Sequence, residues 1–199
     1  LLVLFKNGDR YFGSWDNDKR DGEGTFTWAN SDIYEGHFRD GRFDGEGTYT
    51  WKNDDTYLKY TGKFQDGEFS GQGKMDFANG NVHEGEYRED ARCGQGKMTY
   101  TNGNIYRGSW KDNEIVLHGK MQYKNGDTYK GPWQQGKPHG NGVYCYADGR
   151  CYQGDFEHGK LHGQGKFTYE NGEQFIGQFE DGDTVRKLFR LHTQINVGL

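Results

Sequence analysis

A glycine recurs at a nearly fixed interval through this chain, at Gly13, Gly36, Gly62, Gly85, Gly108, Gly131, Gly154 and Gly177. The spacings are 23, 26, 23, 23, 23, 23 and 23 residues. A period of that length is the mark of an array in which each repeat buries its apolar face only against its neighbours. The chain is therefore one continuous array, where its 199 residues would otherwise suggest one or two globular domains.

Counting from the central glycine as zero, aromatic residues stand at −2 and +2. They are Tyr11 and Trp15, Tyr34 and Phe38, Tyr60 and Phe64, His83 and Tyr87, Tyr106 and Trp110, Tyr129 and Trp133, Tyr152 and Phe156, and Phe175 and Phe179. Alternation with period two is the strand pattern. A second strand carries glycines at +9 and +11, as in Gly22 and Gly24 or Gly163 and Gly165, then apolar residues at +13 and +15. Positions +4 and +5 read Asp40-Gly41, Asp66-Gly67 or His158-Gly159, which suits a two-residue type I′ hairpin turn with positive φ at both central residues. The second turn carries Asn79-Gly80, Asn102-Gly103, Asn125-Gly126 or Asn171-Gly172.

A two-residue loop pairs +2 with +7, 0 with +9 and −2 with +11. The Asn-Gly turn pairs +13 with the next repeat's −2, and +11 with its 0. Both registers put every motif glycine and aromatic on one face, and a register shifted by one residue would split them. The other face is polar, with Glu35, Glu84, Arg107 and Lys130 at −1 and Lys74, Lys97 and Lys120 at +12. The expectation is an all-β fold, an elongated single-layer antiparallel sheet of successive β-hairpins, eight repeats long. At ~4.8 Å per strand it is a twisted ribbon on the order of 75 Å in length. The 26-residue interval places three extra residues within 54–59, read as a longer loop, and Leu117 in place of a +9 glycine should bend or crowd the fifth repeat.

Hydrophobic content is 31% with 33 glycines, a balance that would suggest disorder if it were not periodic and 16% aromatic. The net charge of −5, with Lys and Arg scattered singly, argues against nucleic acid as a partner. Three cysteines do not suggest a secreted disulfide scaffold, so a cytoplasmic setting is expected. Val3, Phe5, Asn7 and Gly8 match the second half of a repeat, so residues 1–182 are read as an array that starts in mid-repeat and is a fragment of a longer one. Residues 183–199 break the pattern, and their Leu188, Phe189 and Leu191 suit either a cap on the last sheet edge or a subunit contact.

Aromatic-x-Gly-x-aromatic, Gly-x-Gly and Asn-Gly at a 23-residue period resemble the MORN repeat, over essentially residues 1–182. The motif positions are Tyr11, Gly13, Trp15, Tyr34, Gly36, Phe38, Tyr60, Gly62, Phe64, Gly85, Tyr106, Gly108, Trp110, Tyr129, Gly131, Trp133, Tyr152, Gly154 and Phe156. His83, Phe175 and Leu117 depart from it. The resemblance implies a ribbon of hairpins with no active site of its own. Its members include enzymes that carry the repeat beside a catalytic domain, junction proteins between membranes, and repeat-only scaffold proteins. With no companion domain in these 199 residues, the chain is most similar to the repeat-only cytoskeletal scaffolds.

No nucleophile–base set stands out, and the Gly-x-Gly pairs lie inside strands and not before helices, so an enzyme is not expected. The hairpin register sets Asp155 opposite His162 with His158 in the turn, three ligands suited to zinc. Cys145 faces Cys151 across the next pairing, as thiol ligands or as a cross-strand disulfide. No cofactor is otherwise required. Lys74, Lys97 and Lys120 form a row roughly 10 Å apart, weakly suited to a phosphoinositide headgroup. A single-layer sheet leaves its aromatic face to be covered by a partner or a second copy. The expected function is a non-catalytic scaffold that forms homodimers and organises cytoskeletal or membrane-associated proteins, at the cytoskeleton or the cytoplasmic face of a membrane. The alternative is a monomeric groove that takes a partner peptide or helix, or a weak phospholipid-binding module.

Overall fold

The computed structural model describes residues 1–191, with side chains as far as Asp183. Every regular element among them is a strand. The chain forms two compact units, one of residues 1–101 with 110–113, the other of residues 102–109 with those from 114 onward. Within each, consecutive strands pair antiparallel in a single layer. The first strand of a hairpin is typically seven residues long, as in Ile33–Arg39 or Cys151–Glu157, and the second nine, as in Arg42–Thr50 or Lys160–Thr168.

Both turn types form as their residues require. The +4 and +5 residues lie in the left-handed region, for example Asp40 at φ 49° with Gly41 at 86°, and His158 at 51° with Gly159 at 88°. Most tight turns also bond to the preceding repeat. The Gly41 N–H donates to the Arg20 carbonyl at 2.9 Å, and in the second unit Gly159 donates to Pro138 at 2.9 Å. The register across the Asn-Gly turn is the expected one, with Gly24 opposite Gly36 and Phe26 opposite Tyr34.

Across the tight turn the register differs from the sequence expectation. Trp15 does pair with Arg20, +2 with +7, but Gly13 pairs with Gly24 and Tyr11 with Phe26. The glycine strand bulges by two residues at +9 and +10, because the +9 glycine takes positive φ: Gly22 at 86°, Gly94 at 57°, Gly163 at 60°. A shift of two keeps parity, so the motif glycines and rings still share one face. The bulge also sets the two motif glycines directly opposite each other.

Leu117 fills the bulge position of the fifth repeat, at φ 53° and 68% exposed. It adopts the glycine conformation with its side chain exposed, so the substitution carries left-handed backbone strain and does not crowd the ring face. Leu117→Gly should raise stability by roughly 0.5 kcal/mol: relief of about 1–2 kcal/mol of left-handed strain, less about 0.4–1 kcal/mol for the freer unfolded chain. An unchanged or lower urea midpoint would contradict this. The extra residues near 54–59 are shared between loop and strand. They extend the loop to residues 51–56, where the equivalent connection after Thr27 is 28–32, and they lengthen the strand Tyr57–Gln65, which pairs with Glu68–Phe77 through an added irregularity at Tyr57/Lys59.

The rings at −2 are almost wholly enclosed. Tyr11, Tyr34, Tyr60, Tyr106, Tyr129 and Tyr152 are 0% exposed. Each tyrosine ring lies over the two motif glycines of its own hairpin. Tyr34 shows how it is held, edge-on between its own Phe38 (5.1 Å, 86°) and the next repeat's Phe64 (5.0 Å, 89°). In the second unit Tyr152 repeats the arrangement with Phe156 (5.3 Å) and Phe179 (4.8 Å). Edge-to-face geometry is the favourable one for ring quadrupoles. The hydroxyl donates to the carbonyl three residues on, as Tyr11 to Ser14 and Tyr129 to Pro132, both at 2.8 Å. This corrects the expectation of an uncovered aromatic face, since the sheet's own next repeat covers the −2 layer. Strand Asp183–Leu191 pairs with Gln174–Glu180. The side chains of Leu188, Phe189 and Leu191, and all of residues 192–199, lie outside the described part.

Candidate functional site

What remains open on the aromatic face is decided by position +7, which leans over the −2 ring. Phe43 stacks on Tyr34 at 3.8 Å and Phe69 on Tyr60 at 4.0 Å. Arginine holds the same position in the repeats at either side of them and also lies over rings. The Arg20 guanidinium sits 4.7 Å over Phe26 and donates to the Gly41 carbonyl at 2.8 Å. Arg92 sits 4.7 Å over Trp110 and 5.6 Å over Phe77, and donates to the Asn113 carbonyl at 2.9 Å. Burial lowers the pKa of both guanidiniums from its ordinary value, opposed by nearby tyrosines.

Between Phe43 and Arg92 the first unit holds a cavity of about 580 Å³. Its floor is the buried Phe64, Met75 and Tyr87, and its walls are the partly exposed Trp51, Tyr57, Phe69 and Phe77. Asp54, Asp90 and Asn113 reach its rim. The lengthened strand builds one side, because Asp54 accepts the N–H groups of Thr56 and Tyr57, each at 2.7 Å, and so presents the Tyr57 ring. Tyr57 lies 5.4 Å from Trp51, and Trp51 stands nearly perpendicular (83°) to Phe69 at 6.0 Å. Burial raises the pKa of Tyr60 and Tyr87 beneath this site, so their hydroxyls stay protonated, and that of Tyr60 donates to the Lys63 carbonyl.

A carboxylate or amide at −4 ties repeats together at the other turn. Asp32 accepts from the Lys52 N–H at 2.9 Å, Asn81 from Thr101 at 3.0 Å and, in the second unit, Asp127 from Ala147 at 2.8 Å. Asp127 also takes a 2.6 Å bond from the Tyr144 hydroxyl, the chief cause of its lowered pKa. The recurrence of Asp or Asn at −4 was the sequence signal for this ladder, and the Asp54–Lys59 insertion was the signal for the pocket.

The other sequence-derived sites fare differently. Asp155 does pair with His162 in the ladder, but Asp155 accepts from Asn141 at 3.2 Å and His162 lies 3.3 Å from Glu157. His158 is exposed in the turn, and among the described residues no group of three His, Cys, Asp or Glu side chains is gathered to hold a metal. Cys145 and Cys151 are joined as a disulfide across their strand pair, which removes them as thiolate ligands. In the first unit Lys74 pairs with Asp76 at 2.9 Å and Lys97 with Glu84 at 2.7 Å, so that part of the lysine row is neutralised. Lys120, in the second unit, stands opposite Lys130.

The sequence pattern of the MORN repeat matches seven times, at residues 11–33, 34–56, 60–82, 83–105, 106–128, 129–149 and 152–174. No curated protein matches the chain. Among solved structures, the Drosophila melanogaster SAS-4 TCP domain, in complex with a proline-rich motif of Ana2, aligns with a TM-score of 0.48 at 15% identity, covering 75% of this chain and 79% of that one. The TCP10 domain of Danio rerio CPAP aligns with a TM-score of 0.35 at 12% identity, covering 96% and 99%.

Proposed function

The chain belongs to the MORN-repeat family, and from that premise we propose that it is a protein-binding scaffold which receives an extended segment of a partner protein on the aromatic face of its first unit. The observation that carries the reading is the pocket between Phe43 and Arg92. It is concave, walled by rings that the sheet does not finish covering, and rimmed by a few polar groups that fix orientation. Rings offer large contact area at little loss of side-chain freedom, which favours a peptide laid along them.

The test is to pan a displayed peptide library on the folded chain and measure the enriched peptides by titration calorimetry. Trp51→Ala should weaken them tenfold or more, since an aromatic anchor in a pocket carries a large share of binding, with the circular dichroism spectrum unchanged. Binding that ignores Trp51→Ala would move the site elsewhere. A chain that enriches no peptide, and shows twice its monomer mass by light scattering, would favour the self-associating scaffold instead. Cytoskeletal or membrane-associated placement is part of the same proposal and follows the partner.

A further inference from the structure

We infer that the pocket of the first unit is specific for the guanidinium of an arginine on the partner segment, an inference that rests on the peptide-receiving role above. The chain itself shows that this face takes guanidinium groups. At +7, Arg20 and Arg92 lie over rings at 4.7 Å and hydrogen-bond to the turn carbonyl of the next repeat. In the two repeats between them the same position holds Phe43 and Phe69, and there the ring surface stays open as the pocket. Trp51, Tyr57 and Phe69 present faces and edges at angles that suit enclosure of a flat cation, an arrangement that attracts it through the ring quadrupoles.

Charge agrees. Asp54 spends Oδ1 on two backbone N–H groups, and Asp90 spends Oδ1 on the Phe69 N–H at 2.8 Å. Neither forms a salt bridge among the described residues, so each keeps Oδ2 for an incoming donor. Arg92, the pocket's own cation, is committed to Trp110 and Asn113. A planar, weakly hydrated fork that stacks on rings while bonding a carboxylate suits this setting better than an ammonium does.

The experiment titrates the ¹⁵N-labelled chain with N-acetylarginine amide and, separately, with its neutral isostere N-acetylcitrulline amide. Saturable shifts are expected at the amides of Trp51, Tyr57 and Phe69 with the arginine probe, with the citrulline probe about tenfold weaker or more. The double variant Asp54→Asn with Asp90→Asn keeps both Oδ1 acceptors and should narrow the gap between the two probes, the ring contribution remaining. Equal binding of the probes to the unaltered chain, no binding of either, or arginine binding untouched by the double variant would each overturn the inference. The peptides selected above separate the two claims. If they bind through Trp51 whether or not their arginines are replaced by citrulline, the groove stands and its arginine specificity falls. If no peptide binds, both fall.

Discussion

Gly62→Ala should destabilise the protein by about 3 kcal/mol or more, the upper range for overpacking a filled interior. A Cβ on Gly62 would lie 2.6 Å from the Gly73 Cα, 2.7 Å from the Gln72 carbonyl oxygen and 2.8 Å from the Tyr60 hydroxyl. None of these can yield cheaply. The first two are backbone of the paired strand, and the third is a hydroxyl fixed to the Lys63 carbonyl at 3.1 Å. Separating the strands would also unseat the Tyr60 ring from its edge-on contacts with Phe64 and Tyr87. Gly67→Ala is the matched control in the same hairpin. Gly67 sits at φ +100°, and a methyl added there would meet nothing within 4 Å, so its cost is only the left-handed backbone, about 1–2 kcal/mol. Urea unfolding followed by circular dichroism measures both. If Gly62→Ala costs no more than Gly67→Ala, glycine-to-glycine approach is not what shapes the repeat.

The second large effect is acid lability centred on His83. This residue stands where six other repeats have a tyrosine hydroxyl donating to a backbone carbonyl. It is 0% exposed, its Nδ1 lies 2.8 Å from the Tyr87 hydroxyl, and its Nε2 has no hydrogen-bond partner among the described residues. Trp110 packs against the ring at 5.0 Å and 77°. Burial holds its pKa down to about 4, the charge of Arg92 acts in the same direction, and Glu84 opposes. The folded-state value is thus below the unfolded one, near 6.5, so the neutral ring favours folding. That stability is fully present above about pH 6.5 and is lost as pH falls from there through about 4, by at most about 3 kcal/mol. The variant His83→Tyr with Tyr87→Phe should abolish this loss. The new hydroxyl can reach the Glu86 carbonyl as its counterparts do, and phenylalanine already serves at +2 in Phe38, Phe64, Phe156 and Phe179. Unfolding midpoints measured from neutral pH down to about 4 decide the matter. The same acid dependence in both proteins would place the lability at other groups.

Much of this fold was legible in the residues. The glycine period fixed the repeat, the period-two rings fixed strands and their shared face, and Asp-Gly and Asn-Gly marked two different turns. Those features are local, because positive φ and side-chain alternation are imposed by a residue on its own backbone. The repeat-pattern match depends on the same features. What the sequence could not show was set by contacts between strands. The two-residue bulge at +9 changed the partners of the glycines without changing parity, so a test of face agreement could not detect it. Whether the aromatic face was open depended on how far a +2 ring reaches over the repeat before it, and that is a packing outcome. The disulfide between Cys145 and Cys151 followed from strand registration, which left both thiol ligation and bonding open at the sequence level. The pocket required Asp54, Tyr57, Phe69 and Arg92 to meet across three repeats. By itself, then, the sequence determined the repeating hairpin and which residues share a face. The tertiary structure alone decided which of those residues cover one another and which are left exposed for a partner, because coverage depends on the distance between strands and on where each ring lies.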